Sequence, residues 1–251
     1  MTPARLTFLG LPIDGLDMDE TVRRCEQLIE ERAGAQHVCL NAAKIVAVEH
    51  DRRLRDIVRG CELVSADGQS VVWAARLLGR RLPERVAGID LMHRLLALAE
   101  HRGYRVFILG ARRDVLDEAV RRLSEAHPGL ELAGTRDGYF TDAENDEVCD
   151  EIRSARPHIL FVAMSSPKKE YWLAEHGRRL EVPLLVGVGG AIDVVAGVTR
   201  RAPRWMQRAG LEWFFRFLQE PRRLARRYVV TNIRFALLVG RALASRSEAV
   251  R

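Results

Sequence analysis

Short apolar segments alternate with single amphipathic helices along most of this chain, and this alternation restricts the possible folds more than any other feature. The segments that predict strands are RLTFLG near residue 5, HVCL at 37, ELVSA at 62, RVFILG at 105, HILFVAM at 158 and PLLVGVG at 183. Helices are predicted at 18–32, 42–59, 69–79, 89–102, 113–126, 142–155 and 168–180. Because single helices join successive strands, we expect right-handed crossovers and an α/β fold. Its Rossmann-like, mainly parallel sheet has helices on both faces.

The pattern changes after Gly197, where helices predicted at 204–219 and 222–244 follow each other with no strand between them. Residues 200–251 contain 13 Arg and three acidic residues, a net charge of +10, whereas residues 1–199 carry a net charge of −4. The sequence therefore predicts an α/β core at 1–199 and a basic helical appendage at 200–251.

Arginines recur along the second helix of this appendage at spacings of four and seven residues, which keeps them on one side of a helix. They are Arg223, Arg227, Arg234 and Arg241. Such a face is typical of a helix that lies on a membrane surface or closes over an active site. It is equally compatible with an ordinary solvated helix face.

The composition predicts a protein that stays in the cytoplasm. The first residues lack the apolar core of a signal peptide, and the longest apolar runs are too short to span a membrane. The four cysteines form no C-x-x-C pair and have no histidines at metal-ligand spacing, so neither a disulfide framework nor a zinc site is indicated.

Polar and glycine residues follow the predicted strands repeatedly. In a parallel sheet of this kind, ligands bind beyond the carboxyl ends of the strands, where loops and helix N-termini meet. The residues at those positions are Asn41, Asp67, Gly68, Gly110, 165–169 and 187–191. We expect the binding site at this edge of the sheet.

Asp67 lies between a predicted strand and a predicted helix, in VSADGQSVVW. A carboxylate there can cap the helix by accepting backbone N–H bonds. Alternatively, it can act as a general base that deprotonates an acceptor hydroxyl as the hydroxyl attacks a sugar anomeric carbon. One carboxylate suffices for such a transfer, and the outcome is inversion at the anomeric carbon.

Glycines and cations at the same edge suit a phosphate-bearing ligand. Gly187, Gly189 and Gly190 follow a strand and precede a helix, which lets backbone amides approach a phosphate, although tight packing also explains such glycines. Arg85 and the pair Lys168 and Lys169 can bring positive charge to a diphosphate leaving group. For the two lysines, a solvated helix turn is the simpler interpretation.

A metal-binding motif is not indicated. The only D-x-D sequence, Asp17 to Asp19, opens a predicted helix and is interpreted as a capping sequence. We therefore expect no metal and no other cofactor.

Four stretches of the chain carry a specific family resemblance. They are ADGQSVVWAARLLGRRLPERVAGIDLM at 66–92, DGYF at 137–140, SPKKEYW at 166–172 and VGVGGAIDVVAGVTRRAPRWMQRAGLEWFFRFLQEPRRLARRY at 186–228. From about residue 36 to about 228, the chain resembles the WecG/TagA/CpsF family, glycosyltransferase family 26.

The resemblance implies an inverting, metal-independent transfer. Members move N-acetylmannosamine, its uronic acid or other hexoses from UDP-sugars to sugar-diphospho-polyprenol acceptors. They act in the synthesis of teichoic acid linkers, enterobacterial common antigen and exopolysaccharides, and they are peripheral membrane proteins. For this chain it implies a cytoplasmic protein bound to the inner face of the plasma membrane.

The resemblance also assigns residues. The family's base corresponds to Asp67, its diphosphate-directed arginine to Arg85, and its strand-end asparagine to Asn41. Its nucleotide-contacting tyrosine and aspartate correspond to Tyr139 and Asp193. The arginine-rich appendage, thought to cover the site and contact the membrane, corresponds to the region of Arg216, Arg223 and Arg227.

Two motifs depart from the family pattern. Cys39-Leu40-Asn41 replaces Thr-x-Asn, and Lys169 stands where the family has glutamine. A thiol is a poorer hydrogen-bond partner than a hydroxyl, and lysine adds a cation. These changes put the donor preference in doubt, and the cation suits an acidic sugar such as a uronate.

Two other functions compete with this interpretation. A non-catalytic relative that binds a nucleotide sugar and regulates or scaffolds polysaccharide assembly is the main alternative. The basic appendage also fits a nucleic-acid binder, but no known recognition motif occurs, so no nucleic-acid partner is expected. A homo-oligomer remains possible.

Overall fold

Six parallel strands form the centre of the computed structural model, which describes residues 5–219 and 221–248. The strands are β3 (Ala35–Leu40), β4 (Leu63–Ala66), β5 (Val106–Gly110), β6 (Leu132–Arg136), β7 (Ile159–Ala163) and β8 (Leu184–Gly187). They lie in the order β4-β3-β8-β7-β5-β6, and every neighbouring pair is parallel. Four of the strands are buried along almost their whole length, as expected for a sheet covered on both faces.

Helices cover both faces of this sheet, which confirms the predicted α/β fold. One face packs against α1 (Met18–Glu30), α5 (Gly88–Arg102), α6 (Arg113–Ala126) and α9 (Ala191–Val195). The other packs against α2 (Ala42–His50), α3 (Arg52–Gly60), α4 (Gln69–Leu77), α7 (Asn145–Ala155) and α8 (Lys168–His176). Consecutive strand residues such as Phe107 and Ile108 belong to apolar clusters on opposite faces of the sheet, because successive side chains of a strand point to opposite faces.

A separate antiparallel hairpin protects the edge strand β4. It consists of β1 (Arg5–Phe8) and β2 (Leu11–Asp14). The buried carboxylate of Asp14 accepts a 2.7 Å hydrogen bond from the backbone N–H of Val64 in β4. This bond satisfies a backbone donor that an edge strand otherwise leaves unpaired.

Several element predictions were wrong in detail. The helix predicted at 42–59 is two helices, because Asp51 leaves the helical conformation and caps α3 by accepting from the backbone N–H of Leu54. The helix predicted at 204–219 is interrupted at Gly210, whose φ is +70°. Strand β2 was missed because it is four residues long and contains Pro12, and β6 was missed because it is half-buried and lacks an apolar run.

The region predicted as the appendage contains α10 (Arg204–Arg208), α11 (Glu212–Gln219) and α12 (Pro221–Glu248), and we keep that name for it. Helix α12 packs against α2, and its Phe235 and Val239 are buried in the apolar cluster beneath that helix. Among the helices of the described residues, none is long and apolar enough to cross a membrane. The interpretation of Asp17 as a helix cap is confirmed, since its carboxylate accepts from the backbone N–H of Glu20 in a capping box.

Candidate active site

The predicted site residues lie along the carboxyl edge of the sheet. Asn41 follows β3, Asp67 and Gly68 follow β4, Gly110 ends β5, and Gly187 ends β8. Lys168 and Lys169 begin α8 after β7, whereas Gly189 and Gly190 precede α9 and Asp193 lies within it. Five strand spacings of about 4.8 Å separate the outer strands, so the edge extends over about 24 Å.

Asp67 and Asn41 lie side by side on neighbouring strands. The backbone N–H of Asp67 donates to the carbonyl of Leu40 at 2.7 Å, which joins the two strand ends. The side-chain oxygen of Asn41 caps α2 by accepting from the backbone N–H of Lys44 at 2.9 Å. The N-cap residue of α4 is Gly68, so Asp67 stands one position before the helix cap and is partly exposed at the sheet edge.

Beneath this edge lies a buried charge group, the core cluster, which consists of Lys44, Lys169 and Glu170. A single carboxylate oxygen of Glu170 contacts Lys44 Nζ at 2.6 Å and Lys169 Nζ at 3.1 Å. All three residues are buried. Burial opposes the ionised carboxylate, but the two ammonium groups outweigh it and lower the pKa of Glu170. Burial and the neighbouring Lys44 lower the pKa of Lys169.

The solvated-turn interpretation of the two lysines is therefore wrong for Lys169, whose ammonium is inside the protein. Lys168 is exposed and lies over the ring of Phe140 at 5.5 Å, a cation–π distance. Adjacent lysines of α8 thus face different environments, because successive residues of a helix point about 100° apart.

The glycine turn after β8 lies directly against Lys169. A Cβ on Gly187 would lie 2.9 Å from Lys169 Cε, closer than real Cβ atoms approach other atoms. The ammonium of Lys169 is 3.9 Å from the place that a Cβ on Gly189 would occupy. Gly187 thus leaves room for the lysine stem and brings a cation next to the exposed backbone of the turn.

Cys39 lies in β3, two residues before Asn41, and is buried. Its Sγ is 3.5 Å from the hydroxyl of Ser65, which lies 2.9 Å from Nε2 of His37. Burial, together with the charge of Asp67, raises the pKa of the Cys39 thiol to about 12, and burial lowers the pKa of His37 to about 3. Both groups are therefore neutral at pH 7, and Gly88 packs closely on the thiol, since a Cβ on Gly88 would lie 3.1 Å from Sγ.

Gly110 lets the end of β5 lie close to β7, since its φ is +125° and a Cβ there would lie 2.5 Å from the backbone of Ala163. Gly138 lets the loop that carries Tyr139 approach Gly110, since a Cβ on Gly138 would lie 3.0 Å from Gly110 Cα. The N–H of Gly138 donates to the carbonyl of Ala111 at 2.9 Å. Tyr139 is 76% exposed next to this contact, at the end of the edge far from Asp67.

Arg85 lies in the loop between α4 and α5, next to β4. The N–H of Val86 donates to the carbonyl of Ala66 at 2.9 Å, which fixes this loop beside Asp67. The guanidinium Nη1 of Arg85 contacts a carboxylate oxygen of Glu212 in α11 at 2.6 Å. Arg85 lies in a loop, as the sequence predicted, but the sequence did not predict that it pairs with Glu212.

A second charge group, the appendage cluster, surrounds that contact and consists of Arg85, Asp90, Arg201 and Glu212. Arg201 holds Asp90 with two hydrogen bonds of 2.6 Å, and its Nε is 3.7 Å from Glu212. Arg85 Nη2 is 3.9 Å from Asp90. Asp90, Arg201 and Glu212 were not predicted as site residues, although all three occur within the stretches that carry the family resemblance.

Lys44 and Glu170 were also not predicted as site residues. The signal for Lys44 is one lysine within the otherwise apolar helix segment AAKIVAV. The predicted membrane or acceptor residues Arg216, Arg223 and Arg227 lie in α11 and α12, and their side chains lie outside the described residues. No group of three or more His, Cys, Asp or Glu side chains in residues 5–219 and 221–248 is arranged to hold a metal ion.

Two enzymes and one protein family match this chain in sequence. The sequence is 34% identical to N-acetylglucosaminyldiphosphoundecaprenol N-acetyl-beta-D-mannosaminyltransferase of Bacillus subtilis (strain 168) over 198 residues, which are 79% of this chain and 77% of that protein. It is 33% identical to the enzyme of the same name from Bacillus spizizenii, over 79% of this chain and 76% of that protein. Residues 6–249 match the glycosyl transferase WecG/TagA/CpsF family. The chain is therefore a member of the WecG/TagA/CpsF family of glycosyltransferases.

Proposed function

We propose that this protein transfers a hexose-type sugar, with inversion, from a UDP-sugar to a sugar carried on a polyprenyl diphosphate, in the synthesis of a cell-surface polysaccharide. The observation that carries the proposal is the placement of Asp67 and the Arg85 loop on adjacent backbone segments at the end of β4. A base and a diphosphate-directed cation are the two groups that a metal-free inverting transfer needs. The names of the Bacillus relatives supply the acceptor class.

In the proposed reaction, Asp67 accepts the proton of the acceptor hydroxyl. The hydroxyl oxygen forms a bond to the anomeric carbon from the face opposite the leaving group. The bond between that carbon and the diphosphate oxygen breaks, and UDP leaves with the electron pair. Arg85 stabilises the negative charge that develops on the diphosphate, in the role that a divalent metal has in other transferases.

The rest of the edge suits the donor. The turn of Gly187, Gly189 and Gly190 offers backbone N–H groups to the phosphates, and we assign Tyr139 and Asp193 to the nucleoside. Lys169 is beside this turn, where its cation favours a donor sugar with a carboxylate. If the protein uses acidic and neutral UDP-sugars equally well, and Lys169→Gln leaves the ratio of the two activities unchanged, that preference is contradicted.

The appendage suits the membrane-bound acceptor. Along α12, Arg234 and Arg241 are exposed together with Ile233 and Leu237, each of which is 56% exposed. A helix that presents arginines and large apolar side chains to solvent is suited to an anionic lipid surface. We therefore propose that the protein acts at the inner face of the plasma membrane.

The test is UDP release from UDP-sugars in the presence of a polyprenyl-diphosphate-linked acceptor. We expect Asp67→Asn to lower the rate by about 10²–10⁴-fold, because it removes the base and preserves the shape of the side chain. Asp150→Asn is the matched control, since Asp150 is exposed on α7 and pairs with Arg153 and Arg179. Equal background release by wild type and Asp67→Asn would favour the non-catalytic, regulatory alternative.

A further inference from the structure

The carboxylate of Glu212 lies between two guanidinium groups at the mouth of the candidate site. It contacts Arg85 at 2.6 Å and lies 3.7 Å from Arg201 Nε. The side chains of Arg85 and Glu212 are 14% and 17% exposed, so this pair is largely enclosed but less so than the core cluster. Glu212 is the first residue of α11, which belongs to the appendage, whereas Arg85 belongs to the core.

Two arginines around one carboxylate form the arrangement that also binds a phosphate group. Guanidinium groups bind carboxylates and phosphates with the same planar, two-pronged geometry. A donor diphosphate at Arg85 would compete with Glu212, because both anions pair with the same guanidinium and repel each other across a few ångströms. We therefore expect binding of the diphosphate at Arg85 to displace Glu212.

Arg201 is held ready for the same ligand. Its two hydrogen bonds to Asp90 at the start of α5 fix the guanidinium independently of Glu212. Its Nε is buried and lies 3.7 Å from Glu212, which is too long for a well-formed hydrogen bond. A buried donor without an acceptor is unfavourable, and a phosphate oxygen in place of Glu212 is a suitable acceptor.

We propose that Glu212 is an internal anion that exchanges with the diphosphate of the donor, and that Arg201 completes a two-arginine diphosphate site with Arg85. This inference rests on the proposed function, which gives the donor its diphosphate. The exchange releases the first turn of α11, so donor binding loosens the contact between core and appendage. Arg201 is a binding residue in this scheme, and Glu212 is a competitor of the substrate.

The experiment is calorimetric titration of the full chain with UDP and, separately, with inorganic pyrophosphate. We expect Glu212→Gln to bind both ligands about three- to tenfold more tightly than wild type, because glutamine keeps the size of the side chain but removes the competing charge. Arg201→Gln is expected to bind both about tenfold more weakly. Glu175→Gln is the matched control, because Glu175 is an exposed residue of α8 that pairs with Arg53 at 3.3 Å, and its affinity should equal that of wild type.

The outcomes separate this inference from the proposed function. Equal UDP affinity in wild type and Glu212→Gln, or weaker binding by Glu212→Gln, overturns the exchange and leaves the UDP donor supported. Tighter pyrophosphate binding by Glu212→Gln without UDP binding by any variant supports the exchange and contradicts the UDP donor. If neither wild type nor Glu212→Gln binds UDP or pyrophosphate, the inference is overturned.

A measurement on wild type covers the case in which a variant does not fold. With saturating pyrophosphate, amide hydrogen exchange in 212–216 should become faster, since the carboxylate that holds this turn to Arg85 is displaced. Unchanged or slower exchange in the ligand-bound protein would overturn the proposal.

Discussion

The core cluster and the appendage cluster both combine arginines or lysines with carboxylates near the same sheet edge, yet they differ in their access to water. In the core cluster, the side chains of Lys44 and Glu170 are 5% and 2% exposed. In the appendage cluster, the side chains of Arg201 and Asp90 are 24% and 36% exposed. The side chains of Arg85 and Glu212 are 14% and 17% exposed. The first group is enclosed by the protein, and the second is partly accessible to water.

This difference predicts different functions for similar pairs of charges. A buried charge that loses its partner cannot be solvated, so a buried cluster is a fixed part of the fold. A pair that water reaches contributes little to stability, because water and a ligand can replace either partner at small cost. The core cluster is therefore expected to shape the site, and the appendage cluster to respond to what binds there.

Glu170→Gln has the largest expected effect on stability. The variant leaves the ammonium groups of Lys44 and Lys169 in the protein interior without a counter-ion, which should lower the free energy of unfolding by about 3–5 kcal/mol. Urea denaturation followed by circular dichroism measures it. The exposed Glu175→Gln should change this free energy by less than about 0.5 kcal/mol. A loss for Glu170→Gln as small as that of the control would show that the two clusters do not differ.

Acid should reduce the contribution that Glu170 makes to the free energy of unfolding. Since the pKa of Glu170 is lowered in the folded protein, the unfolded chain takes up the proton first as pH falls below about 4.3. The stability that Glu170 provides is complete above that pH and is lost as pH falls through its folded pKa. The difference in unfolding free energy between wild type and Glu170→Gln should therefore narrow steadily below pH 4.3.

The comparison with Glu170→Gln is needed because Asp14 acts in the opposite direction. Burial raises the pKa of Asp14, so its protonation favours the folded state at low pH. Both proteins contain Asp14, and its effect cancels in the difference. A difference that stays constant from pH 7 to pH 3 would contradict an ionised Glu170 in the folded protein.

The sequence predicted the parallel sheet and the residues at its carboxyl edge because both depend on local patterns. Apolar runs of four to seven residues are sufficient to locate buried strands, and the residues after them are then at one edge. Asn41, Asp67 and Gly187 were found in this way. The strands that lack this pattern, β2 and β6, were missed.

The partners of the site residues could not be predicted from local patterns. Lys44 and Glu170 are 126 residues apart, and Arg85 and Glu212 are 127 residues apart. Their meeting depends on the strand order and on the docking of the appendage, which hydrophobic periodicity does not specify. The burial of Lys169 was missed for the same reason, because its cover is a glycine turn that follows another strand.

Glu212→Gln has the smallest expected effect on stability and tests the other side of the comparison. Because the pair that Glu212 forms with Arg85 is less buried than the core cluster, its loss should lower the free energy of unfolding by about 1–2 kcal/mol, less than the loss of Glu170. Raising the salt concentration should reduce this difference further, whereas the cost of Glu170→Gln should hardly change, since salt screens exposed pairs much more than buried ones. Urea denaturation at low and high salt measures both. A loss near that of Glu170→Gln would mean that the appendage is fixed to the core and that Glu212 does not leave Arg85.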